Sequence, residues 1–202
     1  MSLTLVLDIG KTHAKLVLID ADGQVVDRRS HANTAEPAAG YVALGVASLT
    51  QWLLTQVPQL PRRSDISHIS ITTHGAAFCP MDENGLVLLP MDYEWNGYGD
   101  FHPQFQQRAC VFEETGSPAL PLGLNAGLQL AWFKHFEPQV WSRVRHLLPY
   151  PQYWAWLLSG VACCEVTSLG CHTHLWKSAT NGFSDLCVHM GWHHLFPSIK
   201  PA

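Results

Sequence analysis

Charge is what this sequence has least of. Asp, Glu, Lys and Arg make up 14% of its 202 residues, against roughly 25% in an ordinary globular domain. Acidic residues outnumber Lys plus Arg by 16 to 12, a net charge of −4 with neutral His. That balance offers no basic surface for a nucleic-acid backbone or an anionic membrane. Long apolar runs are missing as well. The run at residues 3–7 stops at Asp8, too short for the apolar core of a signal peptide. Nothing later approaches the roughly 20 residues needed to cross a bilayer. These absences predict a cytoplasmic chain that binds small molecules, with no nucleic acid and no membrane among its partners. The six cysteines, Cys79, Cys110, Cys163, Cys164, Cys171 and Cys187, contain no Cys-x-x-Cys pair and come without a secretion signal. Reduced, mostly buried thiols are expected. Repeats, low-complexity tracts and linker-like stretches are absent too, so one domain is the economical reading.

What is present is apolar and aromatic. Hydrophobic residues reach 47% with eight Trp, far from the composition of a disordered chain, and a chain of this length buries a sizeable core. Residues 3–8 read as a strand, 9–12 as a tight turn, 14–20 as a second strand and 24–29 as a third, joined to the second by Asp22-Gly23. Val42, Leu44, Val46, Leu49, Trp52, Leu53 and Val57 predict a helix over 40–57, closed by Pro58. Ile66, Ile69 and Ile71 predict a buried strand over 66–72 that delivers His74 to a loop, and another strand is expected over 86–89. Helical patterns return at 103–114, 125–137 and 150–158. Trp132, Trp141, Trp154, Trp156 and Trp176 fall on apolar faces and read as core. The order predicts an α/β fold whose mixed sheet opens with three antiparallel strands and is flanked by helices.

Asp8-x-Gly10-Lys11-Thr12-x-x-Lys15 is the most informative segment. Glycine lets the backbone approach a ligand, and successive N–H groups in such a turn form an anion-binding nest. Asp8 just before the nest suits Mg²⁺ held through water, while Lys11, Thr12 and Lys15 donate to phosphate oxygens. A plain hairpin with a glycine turn fits the same residues. Thr73, His74 and Gly75 form a second candidate, because a strand-end His among small residues can hydrogen-bond a substrate hydroxyl. Backbone satisfaction of that His is the bland reading. Glu94-Trp95-Asn96 supplies the aromatic face and polar groups that sugars require, and equally fits a core Trp beside a turn. The tail residues Cys171, His172, His174, Cys187, His189, His193 and His194 invite a zinc reading. Only His189 and His193 have a workable ligand spacing, and Gly191-Trp192 interrupts their helix.

The order of these segments resembles one family. The opening around Asp8-x-Gly10-Lys11-Thr12 resembles the first phosphate segment of the sugar kinase, hexokinase and actin superfamily. Thr72-Thr73-His74-Gly75-Ala76 is similar to the Gln-Met-His-Gly-type sugar loop of FGGY carbohydrate kinases, and Trp95-Asn96 to the Trp-Asn-Asp segment after it. Gln129-Leu130-Ala131-Trp132 resembles that family's Lys-Leu-x-Trp helix. Residues 147–160 resemble its Leu-Leu-Pro to Leu-Thr-Gly stretch, and 165–170 the strand before its small-residue turn.

The resemblance implies an actin-like ATPase (RNase H-like) domain and ATP-dependent phosphorylation of a sugar or polyol hydroxyl with Mg²⁺. Asp8 would hold Mg²⁺, and Gly10, Lys11, Thr12 and Lys15 would face the ATP phosphates. Thr73, His74, Gly75, Glu94, Trp95 and Asn96 would line the sugar pocket. The catalytic aspartate and the adenosine-binding lobe are expected beyond the point that matches Ala202. Residues 1–202 therefore read as an incomplete N-terminal domain, inactive alone, with a homodimer left open. Gln129 stands where the signature has Lys, and Gly97 where an Asp often follows Trp-Asn, so xylulose-like or glycerol-like sugar contacts do not carry over. A non-catalytic carbohydrate-binding or regulatory module is the alternative reading.

Overall fold

The computed structural model describes residues 2–109 and 112–200, so Cys110 lies outside the described residues. The chain forms two compact units, Met1–Glu36 with Leu44–His74 and Pro37–Ala43 with Gly75–Ala202. Among the described residues no helix is long and apolar enough to cross a membrane.

In the first unit, β1 (Leu3–Ile9), β2 (His13–Ile19) and β3 (Val25–Ala32) form an antiparallel meander. Leu3, Leu5, Leu7 and Ile9 are buried, and so are Ala14, Leu16 and Leu18. The register Leu5↔Leu18, Leu7↔Leu16, Ile9↔Ala14 puts both sets on one face, as a period of two requires. The chain then makes a short ladder of β4 (Ala35–Ala38) and β5 (Tyr41–Leu44) before α1 (Val46–Gln56). Val46, Leu49 and Leu53 are the buried stripe of α1. Arg29, paired with Leu16 on the apolar face, donates from Nη1 to Gln56 Oε1 at 2.9 Å. His31, paired with Ala14, stacks on Trp52 with centroids 5.3 Å apart. Both contacts seat α1 on the apolar face of the meander. The expected helix over 40–57 is therefore shorter, because Val42 and Leu44 follow a strand's period while Val46, Leu49 and Leu53 follow a helix's.

Next comes β6 (Ile66–Thr73), parallel to β1, giving the order β3-β2-β1-β6. Its expected burial is corrected: β6 is an edge strand, and Ile69 is 51% exposed. Ile69 pairs with buried Leu5, so it points to the apolar face, but α1 lies over the meander. Three isoleucines signal a strand without revealing what covers it.

The second unit centres on β7 (Phe78–Asp82), buried along its whole length and flanked by β8 (Gly85–Leu86) and, in antiparallel register, β9 (His146–Pro149). The strand expected over 86–89 stops after Leu86. Val87 N donates to Pro80 O at 2.9 Å, but proline has no N–H to return, so the ladder ends. Helices α2 (Phe101–Gln106) and α3 (Phe112–Thr115) replace the single helix expected over 103–114. α4 (Ala126–Phe136) is buried on every side through Phe133, the signature of a central helix. Short α5 (Pro138–Trp141) and α6 (Tyr150–Ser159) follow, α6 burying Tyr150, Tyr153 and Trp154. Trp132, Trp154 and Trp176 are core as expected, whereas Trp141 and Trp156 are half-buried.

The strand expected at 165–170 is only β10 (Cys164–Glu165). The carboxylate of Glu165 then accepts N–H groups from Thr167 and Ser168 and caps α7 (Val166–Gly170), an acidic N-cap that turns strand into helix. β11 (Trp176–Lys177), β12 (Gly182–Phe183), α8 (Asp185–His189) and β13 (Ile199–Lys200) complete the unit.

Candidate active site

β1 and β6 run parallel and end together at Ile9↔Thr73, and carboxyl ends of parallel strands are where such sheets place ligands. The registers Asp8↔Lys15 and Asp8↔Thr72 set Lys15, Asp8 and Thr72 in one row on the face away from α1. Lys15 Nζ donates to Asp8 Oδ2 at 3.1 Å, and the two side chains are 35% and 39% exposed. Thr73 alternates to the opposite face and donates from Oγ1 to His74 O at 2.7 Å. The hydroxyl bordering Asp8 is thus that of Thr72. Only the pairing register distinguishes these neighbouring threonines, since a one-residue slip exchanges the faces.

The turn after β1 is held from both sides. Gly10 N donates to His13 O at 2.9 Å, and a Cβ on Gly10 would lie 3.0 Å from that same oxygen. Asn33 donates its side-chain Nδ2 to Gly10 O and its backbone N–H to Thr12 O, each at 2.9 Å. Asn33 carries no local motif, which is why sequence reading passes over it. His74 N donates to Ile9 O at 3.0 Å, so the histidine loop is tied to the end of β1, where the Gly10 turn begins. Lys11 is half-buried and Thr12 exposed.

No three His, Cys, Asp or Glu side chains converge among the described residues, so there is no all-protein metal cage. Mg²⁺ at nucleotide sites takes one or two carboxylates and fills its other positions with water and phosphate oxygens. A half-exposed Asp8 beside a glycine turn fits that requirement. Of the tail residues in the zinc reading, no three converge among the described residues, and His174 and Cys187 are core residues. His174 Nε2 lies 3.2 Å from Ser117 O, and burial holds its pKa below the ordinary histidine value.

In the second unit, Asp92 is buried under the segment that carries Trp95. Its Oδ1 accepts the N–H of Glu94 at 2.9 Å and its carbonyl that of Trp95 at 3.0 Å, an Asx turn that leaves Glu94 and Asn96 exposed. The indole of Trp95 packs edge-on against Tyr98 at 4.7 Å and Trp132 at 5.2 Å. Burial, then the charge of Asp92, pushes the Tyr98 phenol well up, so Tyr98 stays protonated and donates to Met91 Sδ at 2.8 Å. Gln129 holds the start of this unit, donating from Nε2 to Ala76 O at 2.7 Å and Gly123 O at 2.8 Å.

Gly97 has a steric reason: a Cβ there would sit 2.3 Å from the Trp95 ring. Gly97→Asp is expected to drive the indole off Tyr98 and Trp132. The expected cost is about 1–3 kcal/mol, as for other overpacked sites. Urea denaturation with near-ultraviolet circular dichroism measures it, and an unchanged aromatic signal at unchanged stability would refute the packing argument.

A family model described as the FGGY family of carbohydrate kinases, N-terminal domain, matches residues 3–176. Among solved structures, the chain is similar to a carbohydrate kinase from Novosphingobium aromaticivorans, with 36% identity and a TM-score of 0.89 over 99% of this chain and 43% of that one. A xylulose kinase from Rhodospirillum rubrum shares 19% identity with a TM-score of 0.80, covering 99% of this chain and 43% of its own. A gluconate kinase from Lactobacillus acidophilus shares 17% with a TM-score of 0.80, covering 98% and 42%. The latter two are likenesses of fold. No curated protein matches the chain. The chain spans less than half the length of these relatives.

Proposed function

The chain belongs to the FGGY family of carbohydrate kinases, and on that premise we propose that it supplies the phosphate turn and sugar contacts for ATP-dependent phosphorylation of a sugar or polyol hydroxyl. The observation that carries the reading is the common end of β1 and β6, where Lys15, Asp8 and Thr72 form a row and His74 is bonded to Ile9 at the end of β1.

In the transfer, the bond from the terminal phosphorus to the ADP oxygen breaks, a new bond forms to the sugar oxygen, and the hydroxyl proton passes to a base. Such a reaction asks the protein chiefly for positioning and charge neutralisation. Charge on the phosphate oxygens would be neutralised by Mg²⁺ when it is bound with the nucleotide. Asp8 would hold that cation through its carboxylate, which Lys15 Nζ orients from 3.1 Å. Lys11 and Thr12 donate to the phosphates, Gly10 closes the turn through its own N–H on His13 O, and His74 orients the sugar hydroxyl. Thr73, Gly75, Glu94, Trp95 and Asn96 take their place beside the sugar on the family resemblance alone.

The base, by the same resemblance, is an aspartate outside residues 1–202, so these residues alone are expected to bind sugar without turning it over. Calorimetry of the 202-residue chain with pentoses, hexoses and polyols is expected to show one class bound, weakened about tenfold or more by His74→Ala, the loss of one good hydrogen bond in a pocket. ADP release is expected only from a polypeptide that also carries an adenosine-binding lobe. Silence toward every sugar would overturn the sugar-site assignment, and normal turnover by residues 1–202 would overturn their incompleteness. Sugar binding without turnover even in the longer polypeptide would favour the non-catalytic module.

A further inference from the structure

We propose that the second unit carries an additional site, unconnected with the phosphate turn, for a small anion with an aromatic or similarly apolar body. Helices α2, α4 and α8 with Arg108 and Met190 line an open cavity of about 440 Å³, within the size range of small-molecule pockets. Phe101, Phe105, Leu186 and Met190 supply apolar wall. Phe105 and Leu186 are buried, which makes that wall part of the core and not a loose surface dip.

Every ionisable group in the lining is a cation or a histidine: Arg108, Lys134, His135 and His189. No carboxylate lines it, in a chain where acidic residues outnumber Lys and Arg by 16 to 12.

Two of these groups are already positioned. Lys134 Nζ donates to Met190 O at 2.8 Å, fixing the ammonium at the cavity and leaving two of its hydrogens for an acceptor. The His135 ring rests on Phe101 at 5.4 Å. Arg108 brings a planar fork suited to a phosphate, sulfonate or carboxylate. An apolar wall beside Lys134 and Arg108 selects for molecules that carry both features: the wall alone would accept any hydrophobe, and the cations alone any anion.

The test uses 1-naphthyl phosphate as probe, with 1-naphthol and inorganic phosphate as its two halves, titrated by calorimetry into the 202-residue chain. The intact probe is expected to bind at least tenfold more tightly than either half. Arg108→Ala with Lys134→Ala is expected to weaken it tenfold or more, and Arg108→Lys to recover most of the loss. Both side chains are exposed, so these variants keep the fold, which near-ultraviolet circular dichroism verifies. Lys11→Ala, in the phosphate turn, is expected to leave probe binding unchanged. The proposal is overturned if the probe does not bind, if naphthol binds equally well, if the double variant binds as tightly as the parent, or if Lys11→Ala abolishes binding.

Discussion

Asn125→Leu is expected to destabilise the protein by about 3–5 kcal/mol, enough to populate an unfolded second unit at room temperature. Asn125 is fully buried just before α4, yet its side chain does not cap that helix. Its Nδ2 instead donates to Pro118 O at 3.0 Å and His172 O at 2.9 Å, and its Oδ1 accepts the N–H of Leu120 at 2.7 Å. One amide thus replaces the missing backbone partners of two loops. Leucine matches its bulk but offers neither donor nor acceptor, and each backbone group stranded in a buried place costs about 1–3 kcal/mol. Asp should fare little better than Leu, because a carboxylate would face two carbonyl oxygens. A shift in urea midpoint at constant slope measures the effect. A loss under about 1 kcal/mol would mean that water takes over the amide's bonds.

The other large effect is functional. In a polypeptide that pairs residues 1–202 with an adenosine-binding lobe, Asp8→Ala is expected to lower kcat/KM for sugar phosphorylation about a thousandfold or more, roughly 4 kcal/mol of transition-state stabilisation. Asp8 is the only carboxylate in the row with Lys15 and Thr72, so no neighbour is placed to substitute for it. Its half-exposed ion pair with Lys15 is worth at most about 1 kcal/mol to stability, which separates lost catalysis from lost folding. Sugar affinity should persist in the variant, since His74 is untouched. Turnover near that of the parent would remove Asp8 from the mechanism.

How much of this was legible beforehand differs from element to element. The meander at β1 to β3 announces itself by alternation, and Asp8-x-Gly10-Lys11-Thr12 by its turn chemistry, because both depend on residues a few places apart. β6 was legible as a strand but not as an edge. β8 looked longer than it is because the missing N–H of Pro80, on a strand seven residues back from Val87, ends its ladder. The helix at 40–57 blurred two periods into one.

The sequence by itself determined the family and the opening meander of β1 to β3, both written in local pattern and segment order. Tertiary structure alone decided that Thr72 and not Thr73 borders Asp8, that Asn33 braces the turn, that Gly97 makes room for the Trp95 indole, and that four basic side chains meet over one apolar wall. Each of those is a contact between residues that register or folding brings together. Spacing along a chain carries information about its own helix or strand, and none about which distant backbone will supply the other half of a bond.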